Sequence, residues 1–286
     1  MFEFIKAILF GIVEGITEWL PISSTGHIIL LDSIMPLDIS QEFYDLFEIV
    51  IQLGAILAVI VLFFHKLNPF SPKKTVVQKK DTWQLWFKVV AAVIPSAVLG
   101  ILLDDPLDNF LRNTPVLGTD MNTFVVAAAL IIYGVAFIMV ERRSSSSDLR
   151  IRRVGEIDYK TALLIGAFQC LSIIPGTSRS GATILGALLL GVSRSAGAEF
   201  SFFLAIPTML GASALKLLMF LKDGVSATGT EVMVLMVGCV VSFVVSLVVI
   251  KGLMEYVRKH SFSVFGLYRI ALGIVVLGYF AIKALL

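Results

Sequence analysis

The chain has 286 residues, 57% of them hydrophobic and 15% charged, with a formal net charge of +2. A mean hydropathy of +0.92 excludes an ordinary soluble domain, and basic residues confined to loops beside apolar runs offer no face to nucleic acid. The two cysteines, Cys170 and Cys239, sit in apolar segments with no second Cys or His at metal spacing, which argues against a disulfide framework and a zinc site.

Apolar runs near the ~20 residues that cross a hydrocarbon core recur along the chain, so a single all-α polytopic membrane domain is expected. The opening "MFEFIKAILFGIVEG" lacks the basic n-region and small-residue cleavage site of a signal peptide and reads as mature sequence. Residues 1–31 are apolar at both ends but interrupted by "LPISSTGH". Backbone cannot lie unpaired against lipid, so this segment is expected to be a re-entrant helix–turn–helix hairpin. A span follows at 47–65, then a loop at 66–84 with Lys66, Lys73, Lys74, Lys79 and Lys80. After a second span at 85–103 comes an acidic loop, with Asp104, Asp105, Asp108 and Asp120 against Arg112, and a third span at 121–140. The polar tract 141–160, containing "RRSSSSDLRIRR", is expected to be a flexible linker. Residues 161–192 form a second broken segment around "IIPGTSRSGAT", and three more spans follow at 198–221, 232–251 and 264–284.

The Lys and Arg bias puts the loops 66–84 and 141–160 on the cytoplasmic side and the acidic loop and both termini outside. The second hairpin then enters from the face opposite the first. At a constant offset of 155, "GIVEGITEWLPISSTG" from Gly11 overlies "GAFQCLSIIPGTSRSG" from Gly166, matching Glu14 to Gln169, Ser23 to Ser178 and Gly26 to Gly181. Pro21 and Pro175 miss that register by one. Residues 1–140 and 161–286 are therefore expected to be an inverted-topology repeat, a plan that sets a site between two broken hairpins at midplane depth.

Glu14 and Glu18 are four apart and share a helix face. Two carboxylates so placed in a low dielectric take up a proton or share a cation, and oxygen ligands suit Mg²⁺ or Ca²⁺. "SSTGH" opens an apolar run, the position of a helix N-terminus, where free N–H groups favour phosphate and Ser23, Ser24 and Thr25 add donors. "PGTSRSGAT" repeats that design with Arg179 at its centre and Ser178, Ser180 and Thr183 around it. An arginine at membrane depth needs a partner, either a phosphate held bidentately or Glu14 or Glu18 across the repeat interface. His27, three residues beyond Ser24, can act as base, acid or nucleophile in phosphoryl transfer. Elsewhere, Gln52 and Glu48 are expected to pack between helices or face the exterior, and Arg194 with Glu199 to end a hairpin at the cytoplasmic surface.

"EGITEWLPISSTGH" together with "PGTSRSGAT" resembles the undecaprenyl-diphosphate phosphatases of the bacitracin-resistance type, and the likeness covers the whole chain in length, span count and motif order. The resemblance implies an enzyme of the bacterial plasma membrane that removes the terminal phosphate of undecaprenyl diphosphate. It implies a site open to the outer side, dependence on a divalent cation, and bacitracin resistance through recycling of the cell-wall lipid carrier. By the same resemblance Glu14 and Glu18 bind metal or serve as base, and Arg179 clamps the diphosphate. Ser24, Ser178 and Thr183 hydrogen-bond its oxygens, and His27 acts on the scissile phosphate. Either Ser24 or His27 can be the nucleophile. The rival is a polyprenyl-phosphate flippase or transporter built on the same repeat. The clustering of Glu18, Ser24 and His27 exceeds what binding needs and favours catalysis. Small-residue faces such as "GASALKLLMF" permit a homodimer without identifying one.

Overall fold

A computed structural model describes residues 2–116, 119–143, 149–222 and 227–285. The serine tract of the expected linker, residues 144–148, and the side chains of Asp104, Asp105, Asp108, Arg112 and Asp120 lie outside the described set. The first broken segment folds as α1 (Phe2–Thr17) and α2 (Ser24–Ile34), and the second as α7 (Tyr159–Gln169), a 3₁₀ turn at Cys170–Ile173 and α8 (Arg179–Leu189). Between them run α3 (Gln41–Leu62), the single turn α4 (Phe64–Leu67), α5 (Val76–Arg112) and α6 (Met121–Arg143). The chain continues through α9 (Arg194–Lys222), α10 (Gly229–Lys259) and α11 (Ser263–Leu285). Among the described residues six helices are long and apolar enough to cross a membrane: α3, α5, α6, α9, α10 and α11. An antiparallel ladder of two residues a side, Pro115–Val116 with Thr119–Asp120, leads from α5 to α6.

Three of the spanning helices, α3, α5 and α10, start earlier than hydropathy predicts because polar caps, invisible to an apolar window, set their first turns. Ser40 caps α3 by accepting from the Phe43 amide, so the helix begins at Gln41, six residues before the expected span. Thr75 and Gln78 form a reciprocal capping box, so α5 begins at Val76 and the lysine-bearing stretch 76–84 is helix, not loop. Thr228 and Glu231 do the same for α10. Asp158 caps α7, and its bonds to the Thr161 backbone and hydroxyl hold that carboxyl below its usual range.

Arg194 and Glu199, expected to end a hairpin at the cytoplasmic surface, stand in the first two turns of α9 and have separate partners. Five residues apart on one helix, the two point to different sides. Arg194 grips buried Glu141 at the end of α6 (Nη2 to Oε2, 2.6 Å), which also accepts from the Phe262 amide at 2.9 Å, and Glu199 pairs with Lys66. Glu48, expected between helices or outward, accepts from the Tyr44 hydroxyl one turn earlier on α3 at 3.3 Å.

The first half of α9 is the centre of the molecule. Every residue from Ala196 to Ile206 is buried, as a helix enclosed on all sides must be. The two hairpins pack around it, with Trp19 fully buried edge-on against Phe202 at 5.3 Å. On the flanks α1 lies against α10, α7 against α5, and α6 against α11. Close approach is made possible by glycine. A Cβ on Gly11 would stand 2.6 Å from the Gly238 carbonyl of α10, and one on Gly166 would stand 2.0 Å from the Ala92 carbonyl of α5.

Candidate active site

The two turns joining α1 to α2 and α7 to α8 come together, and most of the polar residues singled out in the sequence meet there. Each turn ends on a serine in a backbone conformation rarely adopted by L-residues: Ser23 at φ 72° and Ser178 at φ 69°, the two non-glycine positive-φ residues among those described. Such strain costs about 1–3 kcal/mol per residue and persists where the surroundings over-determine it. Gly176, at φ 86°, has no room for a Cβ, which would lie 2.6 Å from the Val126 backbone. Both serines occupy the N-cap position of the helix that follows. The Ser178 hydroxyl accepts from the Gly181 amide at 3.1 Å, as a cap should, whereas Ser23 Oγ is buried without a hydrogen-bond partner.

At the centre Glu18 joins the hairpins. Its Oε1 accepts from Arg179 Nη2 at 2.9 Å and Nε at 3.4 Å, and its Oε2 accepts from the Ser24 hydroxyl at 3.3 Å. Of the two carboxylates that could have partnered Arg179 on sequence grounds, Glu18 is the one hydrogen-bonded to it. Arg179 Nη1 donates to the Ser201 carbonyl of α9 at 3.0 Å, which fixes the plane of the guanidinium. The Thr183 hydroxyl meets that of Ser201 at 2.7 Å, and Ser180 Oγ donates to the Glu18 carbonyl at 3.0 Å. Ser180 and Thr183 are thus buried fasteners of the second hairpin. Thr25, grouped with Ser23 and Ser24 by sequence, is exposed on the first turn of α2.

Glu14 is 2% exposed, and its Oε1 has no hydrogen-bond partner. The charges acting on it are Glu18, Glu48 and Arg179. A buried carboxylate oxygen left open beside a second carboxylate is a fitting donor for a cation. Among the described residues no group of three or more His, Cys, Asp and Glu gathers, so any ion there would have two carboxylates from the chain. That number suits Mg²⁺, which keeps waters and takes its remaining oxygens from substrate phosphates.

His27 lies on the first turns of α2, on the same side as Ser24, but it is not hydrogen-bonded to Ser24. Its Nδ1 is 2.7 Å from the Ser23 carbonyl and its Nε2 is 2.7 Å from the hydroxyl of Tyr268 on α11, the two ring planes being 6° apart. A carbonyl only accepts, so the neutral imidazole carries its proton on Nδ1 and leaves the Nε2 lone pair toward Tyr268.

Two residues of α11 escaped the sequence analysis. One is Tyr268. The other is Arg269, fully buried, whose Nη1 donates to the Pro21 carbonyl at 3.2 Å and whose Nη2 donates to the carbonyls of Gly176 and Thr177, each at 2.9 Å. One guanidinium therefore ties the turn of the first hairpin to that of the second, and it rests 5.4 Å from the Tyr133 ring centroid. The signal was present: Arg269 is the single Asp, Glu, Lys or Arg between Lys259 and Lys283. An ionisable residue alone in an apolar span points to function.

With this geometry in view, comparison with known proteins is direct. The family model "Bacitracin resistance protein BacA" matches residues 7–275. The chain is 56% identical over 280 residues to undecaprenyl-diphosphatase 1 of Clostridioides difficile, covering 98% of this chain and 97% of that protein. It is 55% identical over 274 residues to the undecaprenyl-diphosphatase of Latilactobacillus sakei, covering 96% of each. With the undecaprenyl-diphosphatase of Limosilactobacillus fermentum the identity is 53% over 284 residues, covering 99% of this chain and all of that one. A match over nearly the whole length means that this multi-pass membrane protein belongs to the BacA bacitracin resistance family.

Proposed function

We propose that the chain hydrolyses undecaprenyl diphosphate to undecaprenyl phosphate and inorganic phosphate, as the names of its relatives state for them. The observation that carries the chemistry is the chain of contacts Ser24–Glu18–Arg179. A hydroxyl, a carboxylate able to take its proton and a guanidinium suited to phosphate oxygens meet across two hairpins. A flippase of the same lipid needs the guanidinium but gains nothing from a serine joined to a base.

In the first step Ser24 Oγ attacks the terminal phosphorus while its proton passes to Glu18. The new O–P bond replaces the bridging P–O bond, and undecaprenyl phosphate leaves. In the second step water attacks the phosphoserine, its proton goes to the lone pair of His27 Nε2, and Ser24 Oγ recovers a proton from Glu18 as phosphate departs. Ser24 is favoured over His27 as nucleophile because it is the one hydrogen-bonded to a carboxylate. Arg179, released from part of its bond to Glu18, holds the non-bridging oxygens together with the Ser178 hydroxyl and the first-turn amides of α2 and α8. Ser23 Oγ, buried and unpartnered at the same helix end, is a further donor to the ligand. Ser180 and Thr183 keep the second turn in shape.

Glu14 and Glu18 would hold a divalent cation, Mg²⁺ or Ca²⁺, which would neutralise phosphoryl charge in the transition state. The site is inferred to open to the outer side of the bacterial plasma membrane. The halves 1–140 and 161–286 are inferred to be an inverted repeat. In support, α1 on α10 mirrors α7 on α5, and the strained serines 23 and 178 obey the same offset of 155 as the close-packed glycines 11 and 166.

The test is phosphate release from undecaprenyl diphosphate by purified protein in detergent, with added Mg²⁺ or Ca²⁺ and with chelator. Release that chelator abolishes is expected. No release with either metal would remove the enzymatic reading, and release indifferent to chelator would remove the cation from it.

A further inference from the structure

We infer that Tyr268 is a positioning residue for His27, holding its ring from Nε2 and carrying the proton that His27 exchanges. This rests on the proposed role of His27 as the base of the second step. The geometry leaves His27 no open nitrogen. Nδ1 is closed by the Ser23 carbonyl, and Nε2 is closed by the Tyr268 hydroxyl at the same 2.7 Å. The two closures differ in kind. A carbonyl can only accept, so it locks the proton on Nδ1. A phenol both donates and accepts, so it satisfies Nε2 whether that nitrogen is bare or protonated.

A proton bound for Nε2 therefore passes through the phenol oxygen. Water gives its proton to Tyr268 Oη as the proton already on Oη moves to Nε2. The phenol ends the step neutral, His27 ends it as imidazolium, and the hydroxide left by the water forms the bond to phosphorus. Return of the proton retraces the same oxygen. The fold suits this task. Tyr268 is half-exposed, and its hydroxyl has the imidazole of His27 as a hydrogen-bond partner. Its neighbour Arg269 is bonded to both hairpin turns, which holds this stretch of α11 in register with α2.

The experiment measures kcat and KM for phosphate release by wild type, Tyr268→Phe, His27→Ala and the double variant, alongside carbethoxylation of the three histidines by diethyl pyrocarbonate. Phenylalanine removes only the hydroxyl from a partly exposed ring. We expect kcat of Tyr268→Phe to fall about tenfold with KM within about twofold, and the double variant to be within about twofold of His27→Ala, since coupled residues are non-additive. Independently of activity, His27 should be modified several-fold faster in Tyr268→Phe while exposed His65 and His260 react at wild-type rates. Unchanged His27 labelling, a kcat within twofold of wild type, or multiplicative losses in the double variant would each overturn the inference. Wild-type activity in His27→Ala would instead remove the role of His27 beneath it.

Discussion

Replacing Glu18 by glutamine separates its bond to Arg179 from the charge with which it would serve as base and help hold a cation. The side chain is about nine-tenths buried, bonded through Oε1 to Arg179 and through Oε2 to Ser24. Glutamine keeps the length and one acceptor, so an amide oxygen can still take the guanidinium, but the charge is gone and the atom facing Ser24 can become a donor. Removing one partner of a buried ion pair outright costs about 3–5 kcal/mol, and the retained amide bond should recover a good part of it. The protein should therefore still fold. Catalysis has no such substitute: loss of a general base lowers the rate about 10²–10⁴-fold, or about 2.7–5.4 kcal/mol at 1.36 kcal/mol per decade. The expected result in the detergent phosphate-release assay is a kcat at least about 10² below wild type, with KM changed less than about tenfold because Arg179 and the helix ends remain. Thermal unfolding of the same preparation reports folding separately. A folded Glu18→Gln protein with kcat within about threefold of wild type would refute Glu18 as the base. A raised KM at unchanged kcat would make it a binding residue only.

Three further outcomes follow from the packing and the charge pattern. Arg269→Met should leave the carbonyls of Pro21, Gly176 and Thr177 without their shared donor, at about 1–3 kcal/mol for each buried group left unsatisfied, and lower the unfolding midpoint by well over 5 °C; a midpoint unchanged within error would deny that Arg269 joins the turns. Gly166→Ala forces a methyl into the Ala92 carbonyl and should collapse the yield of folded protein, while Gly100→Ala, with nothing within 4 Å of the added carbon, should be neutral in the same expression and gel-filtration comparison. In a background with Cys170 and Cys239 replaced, Lys73→Cys should react with membrane-impermeant maleimide only after the membrane is opened and Asn113→Cys in intact cells; the reverse pattern would invert the proposed orientation.

The amino-acid sequence by itself determined the class, the six spans and the residues of both hairpin motifs. Lipid imposes a coarse demand, an unbroken apolar run, and any polar break in such a run must serve a purpose. Glu18, Ser24, His27 and Arg179 were legible for that reason. What the sequence could not supply was which of these polar groups face one another. Arg179 had two carboxylates to choose from, and only the packing of both turns around α9 gives it Glu18. His27 stands three residues from Ser24 along the chain, yet its imidazole bonds the Ser23 carbonyl and a tyrosine 241 residues away. Helix starts were missed where capping side chains outweighed hydropathy, as at Thr75. Arg269 was marked in the sequence as a lone charge in an apolar span, but its three partners are backbone carbonyls, which leave no mark in side-chain patterns, so what it joins came only from the structure. Hydropathy and motif are properties of neighbours in the chain, whereas hydrogen bonds across a bundle depend on helix rotation and depth, and those are fixed only when all the helices pack together.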